Sequence, residues 1–136
     1  MKCLTLALVS VLLFCACEAF RKQTYAVRGV LKCGTQPAAG VQVKLVDEDD
    51  GPDPDDKMGE VRTSSDGSFQ VSGQERELTS IDPRLKIYHD CSDSFRPCQR
   101  KWKLHLPDKY INKGTLDIGV LNLEIKLPDE ERDCIH

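Results

Sequence analysis

Apolar and polar residues alternate with a period of two along most of this chain, the pattern of half-buried β-strands. In "YAVRGVLKC", Tyr25, Val27, Gly29, Leu31 and Cys33 share one face, with Ala26, Arg28, Val30 and Lys32 opposite. "VQVKL" sets Val41, Val43 and Leu45 against Gln42 and Lys44, and "EVRT" is a shorter candidate. "SFQVSG" puts Phe69 and Val71 on one side. "LKIYHDC" aligns Leu85, Ile87, His89 and Cys91, and "CQRKWKLHL" aligns Cys98, Trp102, Leu104 and Leu106. "DIGVLNLEIKL" closes the series with Leu121, Leu123, Ile125 and Leu127. The "SSDG" before Phe69 reads as a hairpin turn, because Asp-Gly tolerates positive φ. "SGQERELTSI" breaks the alternation and reads as a loop with room for a helical turn. About seven strands, each with one polar face, predict an all-β fold of two antiparallel sheets packed as a sandwich.

The first 19 residues follow different rules. Lys2, an apolar run from Leu4 to Ala16 and the small residues Cys17 and Ala19 at the −3 and −1 places describe a secretory signal peptide cleaved after Ala19. The run is short for a membrane span, and no later stretch approaches it. The expected organisation is a signal peptide over 1–19 and one domain over 20–136, without a transmembrane segment.

Cleavage changes the cysteine arithmetic. Of seven cysteines, Cys3, Cys15 and Cys17 leave with the signal, and Cys33, Cys91, Cys98 and Cys134 remain. Four cysteines in a small secreted domain predict two disulfides. Cys91 ends one strand and Cys98 begins the next, so a hairpin would join them. Cys33 would then pair with Cys134.

Charge adds candidates without naming a ligand. "DEDDGPDPDD", Asp47 to Asp56, carries seven carboxylates. Calcium favours such oxygens, but the EF-hand spacing fails: with Gly51 in the glycine place, Val46 and Lys57 fall where ligands are needed. Two prolines and a glycine suit a solvated loop, and no metal or other cofactor is expected. Arg96, Arg100, Lys101, Lys103, Lys109 and Lys113 form a basic set around one strand. Arg100, Lys101, Lys103 and His105 are the candidate binding surface, suited to anionic head groups, glycans or an acidic partner. A formal net charge of −3 argues against nucleic-acid binding. His89 and Asp90 are a candidate polar site, with His89 on the face of Leu85 and Ile87. A zinc site would have to take cysteines destined for disulfides. An even thiol count and the absence of G-x-S-x-G, H-E-x-x-H and phosphate-loop motifs predict a non-enzyme.

The blocks "VRGVLKCGTQPAAGVQVKLVDEDD", "TSSDGSFQVSG", "IDPRLKIYHDCSDSFRPCQRKWKLHLP" and "DIGVLNLEI" resemble, in order and spacing, the nematode transthyretin-like family. The resemblance implies a transthyretin-type sandwich of seven or eight strands and a small secreted extracellular protein. It implies no settled activity. Partners of the implied kind are an extracellular protein, a cell-surface lipid or a small apolar ligand. The related hydroxyisourate hydrolases end in a Tyr-Arg-Gly-Ser tail, whereas this sequence ends "RDCIH", so the resemblance does not extend to hydrolysis. Thyroid-hormone binding and a tetramer are likewise not implied, because fold alone does not carry function.

Overall fold

The computed structural model describes residues 21–49 and 55–136. The expected signal peptide and the middle of the acidic run lie outside the described residues. Nine strands occur among them: β1 (Lys22–Cys33), β2 (Gln36–Pro37), β3 (Gln42–Asp47), β4 (Asp56–Arg62), β5 (Ser68–Arg76), β6 (Pro83–His89), β7 (Gln99–His105), β8 (Leu116–Asn122) and β9 (Glu131–Asp133). Seven are long and correspond to the seven apolar alternations. The other two are short pairings of two and three residues.

The strands form two sheets. β1 is central in the first: antiparallel β5 and then β2 lie along one edge, and parallel β8 along the other. The second sheet has the order β4-β3-β6-β7-β9, antiparallel throughout. Tyr25, Val27 and Leu31 of β1 and Phe69 and Val71 of β5 face Val43, Leu45, Leu85, Ile87 and Trp102 across the sandwich. These are the faces expected from the alternation, and burial of this apolar area is the main stabilising term.

Three expectations need correction. The Asp66-Gly67 turn forms as expected: Gly67 has φ +83°, and the Asp66 carboxylate accepts from the Ser68 N–H at 3.0 Å. It does not make a hairpin, however, because β4 belongs to the second sheet and β5 to the first. Turn residues fix the reversal of the chain, not the sheet the next strand joins. "SGQERELTSI" is also more ordered than a loop. β5 continues to Arg76 because Lys22, Gln23 and Thr24 pair with Arg76, Glu75 and Gln74. The last alternation stops early. β8 ends at Asn122, whose side-chain carbonyl accepts from the Gly34 and Glu124 N–H groups. Leu123 is buried just beyond, whereas Ile125 is exposed.

The two sheets approach closely where β4 and β5 pack against each other. A Cβ on Gly73 would collide with the Met58 carbonyl, and one on Gly59 with the Ser72 carbonyl. Glycine at these two strand positions is what allows the backbones to approach.

Candidate functional site

The expected basic surface is not a free patch. β7 alternates as read, so Lys101, Lys103 and His105 face outward. Arg100 shares the phase of Trp102 and therefore points inward, where it is 1% exposed. This removes Arg100 from the candidate surface. The two lysines are already neutralised. Lys103 Nζ donates to Glu48 at 2.5 Å, and Lys101 lies 3.7 and 3.8 Å from Glu131 and Asp133. His105 is exposed at the end of β7. His89 and Asp90 also fail to converge. His89 is buried, while Asp90 is exposed and accepts from Gln99 at 2.9 Å.

The disulfides connect Cys33 with Cys91 and Cys98 with Cys134. The expected Cys91–Cys98 and Cys33–Cys134 pairing is therefore wrong. Cys33 ends β1 in one sheet and Cys91 follows β6 in the other, so packing of the sandwich brings them together. Cys98 precedes β7, and β9 beside it delivers Cys134. The result is a loop, Cys91 to Cys98, fastened separately at each end.

This loop has the most unusual backbone among the described residues. Ser92, Ser94, Phe95 and Cys98 all have φ between +49° and +67°. Non-glycine residues seldom take such angles, and each costs about 1–3 kcal/mol unless the surroundings enforce it. Here they are enforced. Arg132 donates to the carbonyls of Pro97 and Cys98 at 3.1 and 3.0 Å, and binds the buried Asp93 carboxylate at 2.8 Å. Arg132 also holds the Asp93 carboxyl below its ordinary range. From beneath, Arg100 Nη1 donates to the Cys91 carbonyl at 2.6 Å. At the apex of this brace Phe95 is fully exposed, with Arg96 exposed beside it.

Arg100 supports the loop through a saturated network. Its Nε and one Nη2 bond reach the two Glu130 oxygens at 2.8 and 2.6 Å. Its remaining bonds go to the carbonyls of Cys91, Leu123 and Ile125. All five guanidinium N–H groups are thus used. Trp102 Nε1 donates to Glu130 at 2.8 Å, and Arg100 holds the Glu130 carboxyl below the usual carboxylate range.

His89 lies edge-on to Trp102 with ring centres 5.8 Å apart. Its Nδ1 accepts from the Cys91 N–H at 3.1 Å, and its buried Nε2 has no hydrogen-bond partner. Burial, and then the Arg100 charge, push its pKa from 6.5 down to about 4, against the opposing pull of Glu130, Asp90 and Asp93. Between those values the unfolded chain binds a proton that the folded chain refuses. Stability is therefore full above pH 6.5 and is lost as pH falls towards 4. Relative to His89→Asn, wild-type stability should drop by about 3 kcal/mol across this window. Urea melts followed by Trp102 fluorescence measure it; parallel curves for the two proteins would rule out His89 as the titrating group.

Among the described residues, the space between the sheets is packed with apolar side chains. Val27, Leu31, Val43, Leu45, Leu85, Ile87 and Leu123 fill that space with no exposed area. The depression beside His89 is an open groove rimmed by Tyr88, Asp90 and Gln99.

The alternation of β7 already carried the signal that Arg100 is internal. No sequence signal marked the exposure of Phe95, which depends on braces supplied from residues 33, 100, 132 and 134.

Comparison with known proteins follows the same lines. A model of the transthyretin-like family matches residues 28–107. Transthyretin-like protein 5 of Caenorhabditis elegans is 50% identical over 119 residues, covering 84% of this chain and 86% of that protein. Transthyretin-like protein 33 of the same organism is 42% identical over 134 residues, covering 93% and 94%. Among solved structures, a 9R-lipoxygenase from Cyanothece PCC8801 superposes with a TM-score of 0.51 at 20% identity. The likeness covers 74% of this chain but 16% of the lipoxygenase, and it speaks for the fold alone.

Proposed function

Because this chain belongs to the transthyretin-like family, we propose that it is a secreted, non-enzymatic binding protein that engages an extracellular protein through the Cys91–Cys98 loop. The observation that carries this reading is Phe95: a fully exposed aromatic side chain held at the tip of a strained, doubly anchored loop. Surface loops on rigid scaffolds commonly carry binding residues. An aromatic beside an arginine is the composition of interface anchors. Fixing both ends of the loop lowers the ordering entropy lost on association.

Secretion is supported by the signal-like N-terminus and by two disulfides, which persist in oxidising compartments. Among the described residues no helix is long and apolar enough to cross a membrane. The absence of an enzymatic role is supported by the cysteines, all four of which are in disulfides among the described residues. It is supported further by His89, which is buried and held uncharged near neutral pH. A protein partner is favoured over an anionic membrane because the exposed carboxylate of Asp90 borders the loop, and over a small apolar ligand because apolar side chains fill the space between the sheets.

The tagged mature domain and its Phe95→Ala variant, immobilised and exposed to extracellular extract, test this. Phe95→Ala should leave stability within about 0.5 kcal/mol and reduce recovery of the specific partner roughly tenfold. Equal recovery of the same proteins by both forms would end the proposal. Binding that appears only on vesicles of anionic lipid would replace the protein partner with a membrane.

A further inference from the structure

About 20 Å along β6 from His89, at the other end of the second sheet, the chain gathers four carboxylates. Asp47 is the last residue of β3 and Asp56, the first of β4, is its cross-strand partner. Asp49 follows β3 by two residues, and Glu77 follows the end of β5. One oxygen from each of the four lies within 4.8 Å of the others. Acidic clusters are common on surfaces, and this one would mean little if it were wholly exposed. Asp47, however, is 2% exposed. One of its oxygens, Oδ1, accepts the Asp82 N–H at 2.8 Å, while Oδ2 is buried with no N–H donor. The adjoining Glu77 carboxyl, hydrogen-bonded to Asp47 and desolvated, has its pKa pushed up to about 7, as when crowded acids share a proton in place of a cation.

An ionised carboxylate can only accept, and burying one without a positive partner is unfavourable. Local cations do not supply that partner. Arg84 is engaged by Glu48 and Asp82, Lys86 by Asp55, and Lys103 by Glu48. Among the described residues no Lys, Arg or His forms a salt bridge with Asp47, Asp56 or Glu77.

We propose that Asp47, Asp49, Asp56 and Glu77 form a calcium site that ties the β3 and β4 ends of one sheet to the β5 end of the other. The donor set is purely oxygen, which suits a hard cation and disfavours zinc or copper. Calcium–oxygen distances are about 2.4 Å, so two ligands on opposite sides of one ion stand about 4.8 Å apart. Four carboxylates are thus within reach of a single ion. Calcium accepts an irregular cage drawn from three chain segments, whereas magnesium demands near-octahedral geometry and sheds its waters reluctantly. The site is discontinuous, with Glu77 arriving from another sheet. That is why the EF-hand spacing fails across residues 47–56 although carboxylates from that run take part.

The test uses the mature domain, stripped with chelator and titrated with calcium or magnesium chloride at fixed ionic strength near neutral pH. Calorimetry should show one calcium per chain. The unfolding temperature should rise as calcium approaches roughly 5 mM, with a clearly smaller response to magnesium. Glu77→Gln, at a half-buried position where folding is not at stake, should weaken calcium binding roughly tenfold. Asp66→Asn, in the distant β4–β5 turn, should leave it unchanged. Asp47→Asn is the stronger variant if it folds, and the Glu77 change stands without it. No calcium-dependent heat or shift in unfolding temperature, an equal response to magnesium, or binding indifferent to Glu77→Gln would each overturn the proposal.

Discussion

Arg100→Ala is expected to remove about 3–5 kcal/mol of folding stability, a large share of what a domain of this size has. The change does more than delete a charge. It leaves Glu130 without the guanidinium that grips both its oxygens, and it strips donors from the carbonyls of Cys91, Leu123 and Ile125. Arg100→Lys should recover only part of the loss, because an ammonium cannot reproduce the planar five-donor fork. Trp102 is the single tryptophan of the chain and bonds the same carboxylate, so its fluorescence reports directly on the affected region. Urea midpoints within about 1 kcal/mol of wild type would show that the network is energetically neutral, as some buried ion pairs are.

The second large effect concerns the bridge between the sheets. Replacing Cys33 and Cys91 together with serine should cost about 4 kcal/mol, given a closed loop spanning a sequence separation of 58. Opening Cys98–Cys134, with a separation of 36, should cost a similar amount, since the entropy term grows only logarithmically with loop length. The two variants should nonetheless differ in kind. Loss of Cys33–Cys91 frees the sheet-to-sheet tie beside His89, whereas loss of Cys98–Cys134 frees the C-terminal tail, whose His136 stacks on Tyr88 at 3.9 Å. Proteolytic mapping without reduction checks the pairing itself: recovery of a Cys91–Cys98 peptide in place of a Cys33–Cys91 peptide would contradict it.

These two regions also show what could be read in the sequence. The strands were legible because each buries one face, and a period of two survives any arrangement of sheets. The inward phase of Arg100 was legible for the same reason, but the charge of the residue invited an outward reading. Alternation does not encode which strands become neighbours. The parallel pairing of β1 with β8, the move from one sheet to the other at Asp66-Gly67, and the meeting of Cys33 with Cys91 all arise from tertiary packing. Closeness in sequence therefore misled in the case of Cys91 and Cys98. The four clustered carboxylates were half visible: three lie in the acidic run, and the fourth joins from beyond β5.

The central place of β1 bears on how the molecule is made. One edge of this strand is completed by β5, which follows near the middle of the chain, but the other waits for residues 116–122. A chain emerging in order from its N-terminus holds β1 half-paired until residues 116–122 have been made. Such non-local closure slows folding and prolongs exposure of unpaired backbone. The last partner strand and Cys134 lie close together in sequence, so they emerge in quick succession. The open edge of β1 can then be sealed by β8 as the tail is locked.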